Sequence, residues 1–314
     1  MIWQKLGRAW LASAHVDWGE MGTLTPTPFM LPNGIIRVFC GIRDQTGVAR
    51  IGFFDVHENS PTKVENFSKK PVLDIGKPGA FDDNGMLLGD VLLVENELRM
   101  YYVGFQLGVK AKFLAYGGLA TSTNFGESFL RHGSCPVIER DEGGLYIRAI
   151  HGIKHLENGE FQIWYSQGAS WELINDKPFP RYSIATLISK DGVNFAKNSG
   201  ETVPVAHPDE YRIGRSRVFS FNESDHILTF TFGKRDGTYE SGYATSTDLA
   251  NWQRKSDWGL EPSKKSSGQQ DIDFDSKHLA YPALIRTSSG DVLCFYNGND
   301  MGNGGIGVAK LLER

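Results

Sequence analysis

Carboxylates recur along the chain, each shortly before an apolar run typical of a strand. They are Glu20, Asp82 with the adjacent Asp83, Glu142, Glu210 and Asp275. Paired carboxylates are the usual equipment for breaking a glycosidic bond, because one gives its proton to the leaving oxygen while the other acts as base or nucleophile. The candidate catalytic residues are therefore Asp82, Asp83, Glu210 and Asp275. At each position, an acid that only bonds its own turn is the alternative.

Basic, amide and aromatic side chains accompany these acids, either inside the apolar runs or just after the glycine that ends a run. The candidate substrate-binding residues are Arg43, Asp44, Gln106, Arg148, His151, Trp171, Glu172, Arg215, Arg235, Tyr281 and Asn299. Guanidinium groups can keep a carboxylate ionised or bind an anionic group through two hydrogen bonds. Aromatic rings can stack on a sugar. A structural ion pair is the alternative for Arg148 and Arg215, and a core histidine is the alternative for His151.

An aromatic residue followed two positions later by a base occurs five times. The aromatic residues are Trp3, Phe67, Phe129, Phe195 and Trp252, and the steps between them are 64, 62, 66 and 57 residues. A nearly constant period indicates one supersecondary unit repeated along the chain. We expect the aromatic side chain of this motif to pack between repeats and the base to face solvent.

Each repeat has the pattern of four short strands rich in β-branched and aromatic residues. The last repeat has strand patterns at 279–285, 291–296 and 305–310, and residues 2–5 resemble 251–254, so the N-terminal segment supplies its fourth strand. The sequence predicts an all-β, five-bladed β-propeller of four-stranded antiparallel blades, with the ring closed by the N-terminal strand. A solenoid or a sandwich is the alternative.

The repeats predict a single domain over residues 1–314. The blades span approximately 10–70, 80–132, 142–198, 208–255, and 270–314 with 1–8. In a propeller, the innermost strand of each blade begins at the face that carries the site. The candidate residues are therefore expected to gather at the mouth of the central channel.

Composition and charge narrow the class of protein. A net charge of −4 argues against nucleic acid or a membrane surface as partner. The N-terminus has no apolar leader pattern and the chain has no 18-residue apolar stretch, so we expect a soluble, cytoplasmic protein. The three cysteines, Cys40, Cys135 and Cys294, lack C-x-x-C spacing and are expected to be reduced.

The sequence predicts neither a metal nor a cofactor. The eight histidines show no metal-ligand spacing, and no phosphate-binding loop of the Walker type occurs. The run from Asp271 through Asp273 to Asp275 alternates like calcium ligands, but it lacks the glycine and the final glutamate of an EF-hand loop.

Three segments stand out in the repeats: Arg-Asp-Gln-Thr-Gly-Val-Ala-Arg-Ile-Gly at 43–52, Lys-Pro-Val-Leu at 70–73 and Asp-Gly-Val-Asn-Phe at 191–195. With the five-blade plan, they resemble the propeller glycoside hydrolases of families 32, 43, 68 and 130, which include sucrose-, arabinan- and xylan-cleaving enzymes and mannoside phosphorylases. Phe-Asp-Asp-Asn-Gly at 81–85, Arg-Ala-Ile-His at 148–151 and Tyr-Pro at 281–282 look like uncharacterised members associated with bacterial surface-polysaccharide genes. The resemblance implies the five-bladed fold and a glycosidase-like activity.

The chain departs from those hydrolases where they usually place a catalytic Asp before Pro on an inner strand. The matching stretches here are Thr-Pro-Thr-Pro at 25–28 and Leu-Leu-Gly-Asp at 87–90. The expected nucleophile or base is thus missing, or it is displaced to Asp82, Asp83 or Asp90.

Taken together, the sequence favours an enzyme that cleaves or transfers a glycosyl unit by hydrolysis, transglycosylation or phosphorolysis. The arginine-rich candidate set suits a saccharide or an activated, anionic sugar such as a sugar phosphate or a nucleotide sugar. A non-catalytic carbohydrate-binding module and a propeller scaffold for protein partners are the alternatives.

Overall fold

The computed structural model describes residues 1–195, 200–264 and 274–314, and its chain divides into two compact units. Unit 1 comprises residues 1–74 and 256–314, and unit 2 comprises residues 75–255. Lys197 of the fourth aromatic–base motif and the acids Asp271 and Asp273 lie outside the described residues. The single domain over 1–314 stays a prediction.

The protein is all-β, as predicted, because β-branched and aromatic runs alternate with glycine-, asparagine- and aspartate-rich turns. Its helical segments are short, such as Ala12–Ala14, Pro32–Gly34 and α1 (Asn299–Gly302). No helix in the described ranges is long and apolar enough to cross a membrane. The strands are β1 Ile2–Trp10, β2 Thr23–Met30, β3 Ile35–Arg43, β4 Ala49–His57, β5 Ser60–Phe67, β6 Met86–Val94, β7 Glu97–Leu107, β8 Phe113–Ser122, β9 Leu130–Arg131, β10 Ile147–His155, β11 Phe161–Ile174, β12 Lys177–Ser189, β13 Glu201–Val203, β14 Glu210–Asn222, β15 Asp225–Lys234, β16 Tyr239–Ser246, β17 Gln253–Lys255, β18 Ala280–Arg286, β19 Val292–Asn297 and β20 Ile306–Glu313.

Unit 1 contains two four-stranded antiparallel sheets. Sheet 1 has the order β2-β3-β4-β5, and sheet 5 has the order β18-β19-β20-β1. Strand β1 pairs with β20 from Ile2 opposite Glu313 to Trp10 opposite Ile306. The N-terminal segment therefore forms the outer strand of the last sheet, as the repeat predicts. Closure of a complete ring stays a prediction.

Unit 2 contains three further four-stranded antiparallel arrangements, sheet 2 (β6 to β9), sheet 3 (β10 to β13) and sheet 4 (β14 to β17). Short parallel contacts link them: Ile147 of β10 pairs with Ala115 of β8, and Tyr182 of β12 pairs with Arg212 of β14. The described residues thus show the predicted four-strand pattern five times.

The first strand of every sheet shifts its register against the second strand at a corresponding position. The shifts lie between Leu24 and Thr27, Leu88 and Asp90, Ile150 and Gly152, Gly214 and Arg217, and Ala280 and Ala283. Such bulges re-aim side chains and are common beside active sites. Thr25, Arg215 and Tyr281 have positive φ angles of 56°, 56° and 59°. This backbone conformation costs about 1–3 kcal/mol for a residue other than glycine.

In unit 2, the first strands of neighbouring sheets approach each other at glycines. A Cβ atom on Gly89 would lie 2.5 Å from the carbonyl oxygen of Ile150, and one on Gly152 would lie 2.8 Å from that of Ser216. Only a residue without a side chain fits so close to backbone. The glycines therefore bring β6, β10 and β14 together around the bulge residues.

We predict that Gly89→Ala lowers the free energy of unfolding by about 1–3 kcal/mol, since the added methyl group must displace the facing backbone. Urea denaturation of the purified variant measures this change. The control is Gly133→Ala, where the nearest atom to a new Cβ is 3.9 Å away and φ is not positive. Equal stability of the two variants would contradict the close-packing account.

Candidate functional site

Three of the predicted catalytic acids take part in buried ion pairs that recur from sheet to sheet. Asp82 precedes β6 and is completely buried. Its Oδ2 atom accepts hydrogen bonds from the Tyr102 hydroxyl at 3.0 Å and from Arg131 Nε at 2.8 Å. Because Arg131 lies on β9, this ion pair joins the segment before the first strand of sheet 2 to its fourth strand.

The same arrangement occurs in sheet 5. Asp275 precedes β18 and is also completely buried. The Tyr296 hydroxyl donates to Asp275 Oδ2 at 2.8 Å, and Lys5 Nζ of β1 donates to it at 2.7 Å. The tyrosine belongs to the second strand and the base to the fourth, as in sheet 2.

In sheet 4 the acid is Glu210, the first residue of β14. Its two carboxylate oxygens accept hydrogen bonds of 2.8 and 2.6 Å from the guanidinium group of Arg254 on β17. The rings of Phe230 and Phe232 lie 5.0 and 4.8 Å from the guanidinium carbon. In sheets 2 and 5 a second-strand tyrosine donates to the carboxylate, whereas in sheet 4 these second-strand phenylalanine rings pack on the base.

We call these contacts the three carboxylate–base pairs: Asp82–Arg131, Glu210–Arg254 and Asp275–Lys5. The expectation that the base of the aromatic–base motif faces solvent is wrong for Lys5, Arg131 and Arg254. A buried carboxylate needs a cation close by, and the motif supplies it. The expectation holds for Lys69, which is exposed. The pairs give the three acids a structural task, and their catalytic role stays a prediction.

The remaining predicted acids near strand starts have different surroundings. Asp83 accepts hydrogen bonds from the backbone amide of Gly79 at 2.8 Å and from the Asn84 side chain at 2.7 Å, which is turn chemistry. Glu20 and Glu142 are exposed. The acids of the repeat thus lie in three kinds of environment: a buried ion pair, a hydrogen-bonded turn, or an exposed position.

The bulges of β10 and β14 place His151 and Arg215 close together inside unit 2. His151 Nε2 lies 2.9 Å from the hydroxyl of Ser166 on β11, and His151 Nδ1 has no partner among the described residues. Gly214 makes room for this contact, because a Cβ atom there would collide with the Ser166 hydroxyl. Arg215 donates to the carbonyl oxygens of Leu88 and Gly89 on β6, the latter at 2.8 Å.

Burial and the charge of Arg215 lower the pKa of His151 well below its ordinary value. The imidazole is therefore neutral at physiological pH. A neutral ring can donate through one nitrogen and accept through the other. Because Arg215 reaches across to β6, the two side chains hold three first strands in one fixed arrangement.

Arg148 lies three residues before His151 on β10. Its guanidinium group donates to the carbonyl oxygen of Glu139 at 2.7 Å, lies 3.1 Å from Asp141 Oδ2, and stands 5.3 Å from the centre of the Tyr165 ring. The Tyr165 hydroxyl in turn donates to the side-chain oxygen of Gln167. This chain of contacts leads from the buried strand to a surface groove.

The groove has a volume of about 590 Å³ and is called here the sheet 3 groove. It is lined by Gly143, Gln167, Gly168, Ala169, Ser170, Arg181, Tyr182, Ser183, Glu201, Pro204, Val205 and Tyr211. The guanidinium carbon of Arg212 stands 5.9 Å from the ring of Tyr182 and 4.8 Å from that of Tyr211. Aromatic rings beside amide, hydroxyl and charged groups form a lining that suits an amphipathic ligand.

Glu172 and Arg235 form an ion pair next to this groove. Arg235 donates to both carboxylate oxygens of Glu172, at 2.5 and 3.0 Å, and the groove residue Arg181 lies 3.7 Å from the same carboxylate. The hydrogen bonds from Arg235 lower the pKa of Glu172. The carboxylate therefore stays ionised near neutral pH.

The two other unit 2 candidates contact protein groups. Trp171 packs on Tyr146 with ring centres 4.9 Å apart and on Phe113 with ring centres 5.7 Å apart. Gln106 is half-buried on β7, opposite Leu114 of β8. Stacking of Trp171 on a sugar stays a prediction.

Unit 1 holds Arg43, Asp44, Tyr281 and Asn299. Arg43 donates to the carbonyl oxygen of Met21 at 2.7 Å, to that of Met301 at 3.0 Å and to Asn303 Oδ1 at 2.6 Å, and burial lowers its pKa. Tyr281 is close enough to Arg43 to oppose that shift.

Asp44 and Asn299 order backbone turns in unit 1. Asp44 accepts hydrogen bonds from the backbone amides of Thr46 and Val48 and from the Arg50 side chain. Burial raises the pKa of Asp44, but these hydrogen bonds outweigh burial and lower the pKa to about 2. Asn299 Oδ1 accepts from the backbone amides of Lys277 at 2.7 Å and His278 at 3.3 Å. The gathering of all candidates at one channel mouth stays a prediction.

Two further kinds of candidate site are reactive thiols and clusters of metal-ligating side chains. Cys40 and Cys294 are buried free thiols, and burial raises the pKa of both; Cys135 is an exposed free thiol. Among the residues that the structure describes, no group of three or more His, Cys, Asp and Glu side chains could hold a metal ion.

Comparison with known proteins relates the chain to glycoside hydrolases by fold. No protein-family model matches it. It is 27% identical over 312 residues, covering 99% of both chains, to the uncharacterized protein Rv1502 of Mycobacterium tuberculosis. A solved glycoside hydrolase superposes with a TM-score of 0.72 at 16% identity, covering 99% of this chain and 93% of the other. A thermostable family-43 glycoside hydrolase superposes with a TM-score of 0.64 at 15% identity, covering 95% and 92%.

These matches establish that the all-β chain shares the fold of five-bladed propeller glycoside hydrolases. The predicted fold resemblance is confirmed at that level. At 16% identity and below, the likeness concerns fold alone, because one fold hosts many activities. The closer relation to surface-polysaccharide proteins stays a prediction.

We predict that Arg254→Met lowers the free energy of unfolding by about 3–5 kcal/mol, because Glu210 is left as a buried carboxylate without a cation. Chemical denaturation measures the loss. The matched control is Lys69→Met, which removes the exposed base of another copy of the motif and should change stability by less than about 0.5 kcal/mol. A loss no larger than that of the control would show that the pair does not hold sheet 4 together.

We also predict a pH-dependent stability difference for His151→Gln. The folded protein keeps His151 neutral, whereas the unfolded chain binds a proton there below about pH 6.5, so acidification favours unfolding. Between pH 6.5 and 5.5 the wild type should lose about 1 kcal/mol more stability than the variant. Denaturant unfolding at the two pH values tests this. His132→Gln, at an exposed position, should follow the wild type, and identical pH slopes for wild type and His151→Gln would contradict the prediction.

Proposed function

We propose that the protein is a carbohydrate-active enzyme of the glycosidase type, with the sheet 3 groove as its saccharide site. The observation that carries the proposal is the lining of that groove. Tyr182 and Tyr211 offer aromatic surface for the apolar face of a sugar ring, while Gln167 and Arg181 offer donors to its hydroxyl groups. The fold shared with glycoside hydrolases supports the same conclusion.

The groove is attached to a rigid interior, which a positioning site requires. Gln167 is held by Tyr165, and Tyr165 packs under the guanidinium group of Arg148. A substrate that bonds Gln167 would therefore meet a side chain with few alternative positions. Binding energy would then go into orienting the glycosidic bond.

Two carboxylates are available for the reaction at this groove. Glu172 is held ionised by Arg235 and suits the role of base or nucleophile. Glu201 lines the groove and is exposed, and we assign it as the second carboxylate of the pair. Asp82 and Glu210 would then act only through the carboxylate–base pairs.

The charge of the groove bears on the substrate class. The side chain of Arg181 is half exposed, lines the groove, and presents a guanidinium group to solvent. Such a group can bind a carboxylate or phosphate through two hydrogen bonds. A sugar phosphate or a nucleotide sugar is accordingly the preferred substrate class, and hydrolysis, transfer and phosphorolysis all fit it.

The test is to incubate the full chain with oligosaccharides, sugar phosphates and nucleotide sugars, with and without inorganic phosphate, and to follow anomeric proton signals by NMR. We predict turnover of at least one anionic sugar and a loss of about 100-fold or more in Glu172→Gln. The control is Glu65→Gln, an exposed acid in unit 1. Turnover that survives in Glu172→Gln would contradict the role given to this residue.

A second candidate, saccharide binding without cleavage, is favoured by the three carboxylate–base pairs, which occupy three of the acids of the repeat. It predicts saturation-transfer NMR signals from a bound sugar without any new product. In that case Tyr182→Ala should weaken binding about 3- to 10-fold through lost stacking. Absence of both turnover and binding across the panel would favour a scaffold for protein partners.

A further inference from the structure

A second cavity lies at the other end of β10 and β14 from the sheet 3 groove. On β14, Ser220 in this cavity lies nine positions after Tyr211 in the groove, which corresponds to about 30 Å of extended chain. The cavity has a volume of about 550 Å³. The saccharide proposal above does not use it.

Three side chains with acid–base and nucleophilic chemistry meet at this cavity, here called the Ser220 cluster: Lys154, Ser220 and His226. The Ser220 hydroxyl oxygen lies 2.5 Å from Lys154 Nζ and 2.8 Å from His226 Nδ1. Lysine can only donate, so the hydroxyl accepts from Lys154, and in the tautomer of His226 with an unprotonated Nδ1 it can donate its proton to that nitrogen. A serine whose proton already points at an imidazole nitrogen has the geometry of an activated nucleophile.

The surroundings hold His226 in the state that a base requires. The side chain is 3% exposed, and burial together with the charge of Lys154 lowers the pKa of His226. A hydrogen bond with the backbone of Glu223 opposes that shift and fixes the ring. The histidine is thus neutral near pH 7 and oriented by a third group, as in serine hydrolases.

We propose that Ser220 is the nucleophile of an esterase site, with His226 as general base and the Lys154 ammonium group stabilising negative charge on the reacting oxygens. The Ser220 oxygen forms a bond to the acyl carbon as its proton passes to His226 Nδ1. The ester carbon–oxygen bond then breaks, and the departing alcohol takes the proton from His226. Water then attacks the acyl carbon as it gives a proton to His226. The bond between the acyl carbon and the Ser220 oxygen breaks, and His226 returns the proton to that oxygen, which releases a carboxylic acid and restores the Ser220 hydroxyl.

The charges around the cavity narrow the substrate to a neutral carboxylic ester. Three acids, Glu157, Glu223 and Asp248, line the cavity with Lys154 as its basic side chain, so an anionic acyl group would be repelled. Leu156 and Leu249 provide apolar lining that a short acyl chain can contact. The volume of about 550 Å³ accommodates a small ester.

The experiment treats the full chain with a fluorophosphonate probe and locates the adduct by peptide mass spectrometry. The expected result is a phosphonyl group on Ser220 of the wild-type protein, so this first readout does not depend on the folding of any variant. His226→Gln should slow the labelling about 100-fold. Ser220→Ala should abolish the labelling. It should also reduce the hydrolysis of 4-nitrophenyl acetate to the background rate that histidine side chains catalyse.

Ser134→Ala is the matched control, because Ser134 is an exposed serine in the same unit; it should label and hydrolyse like the wild type. The thermal unfolding midpoint of each variant separates loss of reactivity from loss of folding. Absence of an adduct on Ser220 in the wild type, or labelling of His226→Gln at the wild-type rate, would overturn the proposal. Neither result bears on the saccharide site, since the two cavities share no lining residue.

Discussion

The structure depends on carboxylates that are buried at the start of a sheet and neutralised from its end. In sheets 2, 4 and 5, an acid at or just before the first strand pairs with a base on the fourth strand. A buried charge without a partner costs several kcal/mol, so each pair requires all four strands to be in place. Asp82 and Asp275 add a tyrosine hydroxyl from the second strand. These interactions explain three of the five copies of the aromatic–base motif, in which the base is the distant half of an ion pair.

Sheets held in this way can carry strain where they face one another. Within unit 2, Gly89 and Gly152 let backbone meet backbone, and Arg215 adopts a left-handed conformation that points its guanidinium group at β6. The cost of the strained backbone is met by buried hydrogen bonds to carbonyl oxygens, which keep the neutral His151 and the Arg148–Tyr165–Gln167 contacts in fixed positions. The sheet 3 groove inherits that rigidity. A binding surface built on such a support loses little entropy when a ligand is bound.

The sequence predicted the repeat, the four-strand pattern and the pairing of the N-terminal strand because these follow from periodicity and from a missing strand at the C-terminal end. It did not predict the role of Lys5, Arg131 and Arg254, since a base two residues after an aromatic looks the same whether it faces solvent or a buried acid more than 40 residues away. The positive φ angle of Arg215 could not be predicted from the sequence, because arginine is not a residue that favours that conformation. Tyr182 and Tyr211 were missed for a related reason: their meeting at one groove is set by strand register across two sheets, which local composition does not encode.

We propose above that the sheet 3 groove binds a saccharide. A crystal structure of the protein soaked with a sugar phosphate tests it most directly, because the position of the ligand is then seen rather than inferred from activity. We predict a sugar ring against Tyr182 or Tyr211, with its hydroxyl groups on Gln167 and its anionic group on Arg181. A sugar bound elsewhere in the protein, with this groove holding only solvent, would contradict it.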